Sequence, residues 1–307
     1  MDQTASSTPD NEKVIGWGNR WTCMKIVVKA TMHGAISIVN AIATGKGSAL
    51  GISLKVIAEV KISDGQGINF PYNKADKLIN NIIHYTIPKD IIDNNLISIK
   101  IYSDIPAGWG LKSSSAVSNA VALACCMIGK DEIDDYSVLE SAVRASRDAK
   151  VTVTGAYDDS TACYFGGFVI TDNYLNKLIR RERVQDDLYV IIFLPHNVQR
   201  GTIYKLKILS DLFSDAFKIA EKGEYWKAMK MNGVLTSAAF STNYEPILSA
   251  LEEGALSASI SGNGPSISAI CYKDSIIKIK SAFSKFNGKI LVSTVNNEKA
   301  SVEKLVG

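Results

Sequence analysis

The densest chemical signal in the sequence is the run Pro106-Ala107-Gly108-Trp109-Gly110-Leu111-Lys112-Ser113-Ser114-Ser115-Ala116. Two glycines two residues apart let a backbone turn tightly and approach a ligand closely. Three consecutive serines then open an apolar stretch that ends at Gly129. At the start of a helix the first N–H groups have no intrahelical partner, and the dipole favours an anion. Serine hydroxyls placed there cap the helix, bind phosphate oxygens or ligate Mg²⁺. Lys112 adds a positive charge at the same mouth. Together these residues predict a polyphosphate cradle, whereas a plain glycine turn with an N-cap needs one serine and no lysine. The cradle is not a Walker loop, because G-x-x-x-x-G-K-[ST] is absent. Gly45-Lys46-Gly47, Gly65-Gln66-Gly67 and Gly262-Asn263-Gly264 all lack the last glycine of G-x-G-x-x-G, which argues against a dinucleotide fold.

The cradle needs a strand before it and a helix after it. Val- and Ile-rich patterns predict strands at 25–30, 53–62 and 96–102, with later ones at 168–171, 188–194, 257–260, 266–272 and 289–295. Helical spacing predicts helices at 74–84, 113–128, 134–149, 201–220, 225–240, 245–253 and 276–286. Strands and helices interleave without a regular βαβ series, so the expected class is α+β with two lobes. The seam is placed near 172–187, where charged residues crowd together, giving lobes 24–172 and 173–307. Residues 1–23 are polar and aperiodic, lack the pattern of a secretory signal, and read as a flexible extension or a non-native start.

The whole chain has 307 residues, of which 46% are hydrophobic and 21% charged, enough to bury a sizeable core. Its net charge of +3 and the lack of a long basic run argue against nucleic acid as a partner. The longest apolar run, 120–129, is too short for a membrane span. The cysteines (Cys23, Cys125, Cys126, Cys163, Cys271) form no C-x-x-C, and the histidines (His33, His84, His196) are scattered, so neither a disulfide framework nor structural zinc is expected. Cys125 and Cys126 read as packing residues, and no histidine stands near Cys163 in sequence to activate its thiol. The expected setting is the cytoplasm.

Pro106-x-x-x-Gly110-Leu111-x-Ser113-Ser114 resembles the second motif of the GHMP kinases, with Lys112 where the family usually has glycine. Gly-Leu-Lys-Ser-Ser-Ser is similar to the archaeal shikimate kinases, a branch of that superfamily. The stretch from Gly34 to Gly47, GAISIVNAIATGKG, resembles that branch's first signature. Val151 to Asp159, VTVTGAYDD, resembles its middle segment, and Ser261-Gly262-Asn263-Gly264-Pro265-Ser266 the third superfamily motif. The resemblance runs from about Met24 to the end. It implies a two-lobed GHMP-kinase fold, with an amino-terminal α/β lobe of left-handed-crossover type for the nucleotide and a ferredoxin-like carboxy-terminal lobe. It implies ATP and Mg²⁺ as cofactors, shikimate as substrate with its 3-hydroxyl as acceptor, and a monomer or homodimer.

Residue roles follow from the same resemblance. Ser114 and Asp148, eleven positions before Asp159, would hold Mg²⁺. The base is Asp159, counted seven back from Gly166 as in mevalonate kinase, or Asp158, counted as G-x-x-D from Gly155 as in galactokinase. Lys112 and backbone N–H groups would neutralise developing charge. The substrate carboxylate calls for an arginine, with Arg144, Arg147 and Arg200 as candidates. Lys29, His33 and Asn40 are placed near the substrate. Other readings are a related kinase such as homoserine kinase, a catalytically silent nucleotide-binding regulator, and a related decarboxylase.

Overall fold

A computed structural model describes residues 26–71, 76–128, 130 and 132–306. The expectation for residues 1–23, and Cys23 with it, lies outside the described residues.

The chain opens with a long antiparallel hairpin, β1 (Ile26–Val39) and β2 (Lys46–Ser63). The first half of β1 alternates between buried and more exposed positions, while Gly34 to Val39 is buried throughout. An unbroken run of small and apolar residues marks a strand covered on both faces, and helices from both lobes pack on β1. β3 (Gly67–Asn69) runs parallel to β4 (Leu96–Ser103), joined to it through α1 (Asp76–Thr86) and α2 (Lys89–Asn94). α3 (Ser113–Ile128) follows and is buried along most of its length. A helix that is apolar nearly all round belongs inside a protein, and α3 packs against β1, β2 and α1. It also meets α4 (Asp135–Asp148) and α5 (Tyr157–Phe165). α4 begins at Asp134, whose carboxylate accepts from the N–H groups of Tyr136 and Ser137. β5 (Phe168–Asp172) and β6 (Lys177–Glu182) extend the sheet from β2.

β7 (Tyr189–Pro195) starts the second lobe. After it come α6 (Tyr204–Ile208), α7 (Ser210–Glu221), α8 (Tyr225–Phe240) and α9 (Glu245–Glu252). β8 (Ser257–Ile260), β9 (Ile267–Cys271), α10 (Ile276–Phe283) and β10 (Gly288–Thr294) complete it. The four-stranded sheet has the order β10-β7-β9-β8 and is antiparallel throughout. A βαββαβ chain in that order is ferredoxin-like, as expected. Its separate core includes Ile191, Phe193, Ile247, Ile279 and Phe283.

The chain does not divide cleanly at 172/173. β6 lies within the charged stretch where the seam is expected, yet it pairs with β5. The last strand, β11 (Ser301–Val306), returns to the first sheet and pairs with β1. Neither strand carries a strong apolar signal. β6 is an edge strand with alternating exposure, and charged residues are normal there.

Candidate active site

The loop before α3 crosses to the second lobe. Gly110 has a φ of 78°, and a side chain there would overlap the carbonyl oxygen of Ser261. Ser261 Oγ donates to the Gly110 carbonyl at 2.8 Å, and Ser266 Oγ donates to that of Trp109. The Gly turn at 262–264 is thereby fastened to the serine loop. Lys112 follows in the left-handed region, with a φ of 63°. That conformation is costly for a residue with a Cβ, and sites that hold it are often functional. The Lys112 carbonyl accepts from the Ala116 N–H at 2.9 Å, which makes Lys112 the residue that caps α3. The N–H groups of Ser113, Ser114 and Ser115 therefore stand at the open start of the helix.

Lys112 turns its side chain inward, where it is 6% exposed. Its Nζ lies 2.8 Å from Asp159 Oδ1 and donates to Ser37 Oγ at 2.8 Å. Burial alone would depress the ammonium's pKa, but the carboxylates of Asp159 and Asp158 outweigh it and the net shift is upward. Asp159 remains 19% exposed toward the cleft. Asp158 is buried, and Asn173 Nδ2 donates to its Oδ1 at 2.7 Å. Burial, then repulsion from Asp159, raises Asp158 to about 7 against the pull of Lys112. Gly47 makes room for this carboxylate: a Cβ there would sit 2.6 Å from Asp158 Oδ2 and 2.6 Å from Ala41 Cβ.

These groups line one cleft of about 480 Å³. Its walls include Ala107, Gly108, Gly110 and Leu111 to Ser115 from the serine loop, and Gly262 and Asn263 from the turn. Asp158, Asp159, Ser37 and Arg200 face it too. Pro106, Trp109 and Ala116 complete the serine motif but do not line the cleft; Ala116 is fully buried. Ile42, Leu78, Val117, Val151 and Val153 form an apolar side to the same space. A neighbouring cavity of about 530 Å³ lies across Arg200 and Asn263 in the second lobe, and no carboxylate lines it.

Of the remaining sequence candidates, Arg200 and Asn40 line the cleft, and Asp148, Arg144, Arg147, Lys29 and His33 do not. Asp148, at the end of α4, points to α1 instead, where it accepts from the Tyr85 hydroxyl and pairs with Arg144 at 3.9 Å. It does not line the cleft that Ser114 lines. Arg144 is exposed and lies over the Tyr85 ring, 4.4 Å from its centre. Arg147 donates to the carbonyls of Thr154 and Asn173 and to Asn176 Oδ1, so it braces the loop before α5. Lys29 pairs with Glu59 at 3.3 Å. His33 is buried outside the cleft, and burial, then Lys55, lowers its pKa despite Glu298. Asn40 does reach the cleft, but its amide groups serve as a stitch: Nδ2 donates to the Gly262 carbonyl at 2.7 Å and Oδ1 accepts from the Ile42 N–H. Of the three arginines only Arg200 faces the cleft, with Nε donating to the Gly108 carbonyl at 3.0 Å. Cys163 is buried and its thiol is pushed well up, first by burial and then by Asp159, consistent with packing.

Sequence reasoning assigned no role to two residues that contact the acids and the lysine. Ser37 lines the cleft inside the Gly34–Gly47 stretch, and Asn173 follows β5, buried behind Asp158; both show their partners only in three dimensions.

Two lobes that meet over the open start of a helix, beside a carboxylate paired with lysine, have the arrangement of a small-molecule kinase. The chain belongs to the GHMP kinase family. The family's sequence models, GHMP kinases N terminal domain and GHMP kinases C terminal, match residues 75–167 and 227–289. Membership of a kinase family implies the use of ATP. A protein of Methanothermobacter thermautotrophicus named shikimate kinase is 35% identical over 287 residues, covering 90% of this chain and 99% of that protein. One of Pyrococcus furiosus with the same name is 39% identical over 272 residues, covering 85% and 96%. Among solved structures, homoserine kinase from Cytophaga hutchinsonii aligns with a TM-score of 0.68 at 21% identity, covering 90% of this chain and 97% of that one. Mevalonate kinase of L. major, in complex with R-mevalonate, aligns with a TM-score of 0.69 at 16% identity, covering 88% and 96%. At those identities the likeness concerns the fold. Among the described residues, no helix is long and apolar enough to cross a membrane.

Proposed function

We propose that the chain transfers the γ-phosphate of ATP to the 3-hydroxyl of shikimate, forming shikimate 3-phosphate and ADP in chorismate and aromatic amino-acid biosynthesis. The observation that carries this reading is the Lys112–Asp159 pair, at 2.8 Å, in the cleft that also holds the serine-headed start of α3. The names of the archaeal relatives supply the acceptor.

In this reading the triphosphate lies over the N–H groups of Ser113 to Ser115, and the purine lies against the apolar side formed by Leu78, Val117 and Val151. The acceptor hydroxyl sits between the γ-phosphate and Asp159. As its oxygen bonds to phosphorus, the bond to the bridging oxygen breaks and that electron pair leaves with ADP. The hydroxyl proton passes to the Asp159 carboxylate. The transition state is loose, so positioning and charge stabilisation contribute more than basicity. Lys112 keeps Asp159 oriented and places positive charge beside the transferring group. Asp158 is the less suitable base, since its Oδ1 is held by Asn173 and burial favours its neutral form. Arg200 is the candidate partner for the substrate carboxylate, with its outer nitrogens unassigned by the bond to Gly108.

Mg²⁺ fits the donors present as an ion brought by the nucleotide. No group of three His, Cys, Asp or Glu side chains able to hold a metal occurs among the described residues, whereas Ser114 is exposed at the cradle. Mg²⁺ commonly takes one or two protein oxygens, several waters and phosphate oxygens. Bound in that way by Ser114 and the phosphates, it would neutralise charge on the transferring group. A cytoplasmic monomer or homodimer is the setting this reading carries.

The test is ADP release measured with shikimate, homoserine and mevalonate as separate acceptors, with the product's phosphate located by phosphorus NMR. Turnover with shikimate alone, at the 3-position, is expected. Turnover with homoserine instead would replace the assignment, and nucleotide binding without turnover on any acceptor would leave a regulator.

A further inference from the structure

We propose that Ser37 is a positioning residue for the transfer step: its hydroxyl holds the Lys112 ammonium against Asp159 while that carboxylate changes charge. The inference deepens the proposed function and rests on it.

Ser37 lies on β1 and is 1% exposed. Its Oγ accepts two hydrogen bonds, from Lys112 Nζ at 2.8 Å and from the Gly262 N–H at 3.0 Å. Its own N–H donates to Ser261 Oγ at 3.1 Å. One hydroxyl thus ties β1 to the lysine of the serine loop and to the turn of the second lobe.

An ammonium has three hydrogens to place. Ser37 takes one at 2.8 Å, and Asp159 Oδ1 faces the same ammonium as its ion-pair partner, also at 2.8 Å. A lysine side chain loses much rotational freedom when it is fixed at its tip, so its position depends on those partners. The partners differ in one respect. Asp159 gains the acceptor's proton during transfer, and its attraction for Nζ then falls. Ser37 is neutral before and after, so it keeps Nζ in place when Asp159 cannot. A purely structural role is also available, because Ser37 secures the Gly262 turn whether or not Lys112 is present.

A double-mutant cycle separates the two roles. Ser37→Ala in the full chain is expected to lower kcat by roughly tenfold or more, as loss of a hydrogen bond to a charged group does, with KM for ATP within about threefold. In a Lys112→Met background the same change should cost less than about threefold. Equal losses in both backgrounds, or an unchanged kcat, would overturn the proposal. Ser37→Cys, which keeps the volume and weakens the acceptor, reports the same quantities if Ser37→Ala is too unstable to purify. A second readout needs no acceptor: the Lys112 Nζ–H signal in nitrogen-15 NMR. Slow exchange in the parent protein, lost in the Ser37 variant while Asp159 is intact, supports the proposal, and persistence in the variant overturns it. If the parent protein turns over no acceptor, the proposed function fails while the NMR arm still decides whether Ser37 holds Lys112.

Discussion

Lys112 Nζ lies 2.8 Å from Asp159 Oδ1 at the bottom of a cleft whose rim is the start of α3. The two residues reach each other because Lys112 leaves the helix cap in a left-handed conformation, at φ 63°. A right-handed residue at that point would send its side chain elsewhere. The backbone strain and the ion pair are therefore parts of one device, which brings a cation from the serine loop to the Asp159 carboxylate.

Removal of that carboxylate's charge should stop transfer without stopping nucleotide binding. Asp159→Asn is predicted to lower kcat by about 10²–10⁴-fold, the usual range for a general base. Asp158→Asn should cost less than about tenfold. Steady-state kinetics on both variants, with ATP affinity measured separately, checks the assignment; a larger loss from Asp158→Asn would reverse it.

The strain at Lys112 can be separated from its charge. Lys112→Ala and Lys112→Gly both delete the ammonium, so both should lose activity to a similar extent. Only glycine adopts φ 63° freely, so Lys112→Gly should be the more stable of the two by about 1 kcal/mol. Equilibrium unfolding of the pair measures the difference, and equal stabilities would show that the strain is negligible.

Asp158 gives the protein a pH-dependent weakness. Its folded pKa of about 7 exceeds the ordinary value of 3.8. Between those values the folded state holds a proton that the unfolded state has released, so this group's contribution to stability falls as pH rises from about 4 to about 7. Asp158→Asn mimics the protonated side chain and keeps an oxygen for Asn173 Nδ2. The variant's melting temperature, relative to the parent protein, should therefore be higher at pH 8 than at pH 5. A constant difference across that range would mean that Asp158 does not titrate there.

Gly47 tests the space around the same carboxylate. The Cβ of alanine there would stand 2.6 Å from both Asp158 Oδ2 and Ala41 Cβ, one of them a buried acid held by Asn173. Gly47→Ala should destabilise by about 1–3 kcal/mol, as overpacking does, and should lower kcat by displacing the start of α5. Denaturant unfolding and turnover of the same preparation check both effects.

The loop and helix start were legible because they depend on a local sequence: Gly110, Lys112 and three serines lie within six residues, after a Val/Ile-type strand and before an unbroken run of small and apolar residues. The ferredoxin-like lobe was legible through the resemblance. Spacing failed where direction matters. Asp148 has the expected distance from Asp159 along the chain, but the last turn of α4 faces α1, and Tyr85 takes its carboxylate. The role of Lys112 as a partner of Asp159 is equally invisible in one dimension, since α3 and α5 approach only after both pack on β1. Arg147 shows the same limit: its guanidinium lies beside the middle segment but holds that loop's backbone carbonyls.

Arg200 provides the sharpest test of which cation meets the acceptor. It alone of the three candidate arginines faces the cleft, and its Nε already bonds to the Gly108 carbonyl. If its outer nitrogens bind the substrate carboxylate, Arg200→Met should raise KM for shikimate by at least about tenfold, within the range for a lost charge-assisted pair. Arg200→Lys should recover only part of this, because an ammonium does not reproduce the planar fork. Arg144→Met, on the far side of α4, should leave KM for shikimate unchanged. Shikimate's alcohol analogue, lacking the carboxylate, supplies the control: the parent protein and Arg200→Met should bind it equally poorly. A loss of ATP affinity with shikimate KM unchanged would assign Arg200 to the phosphate loop instead.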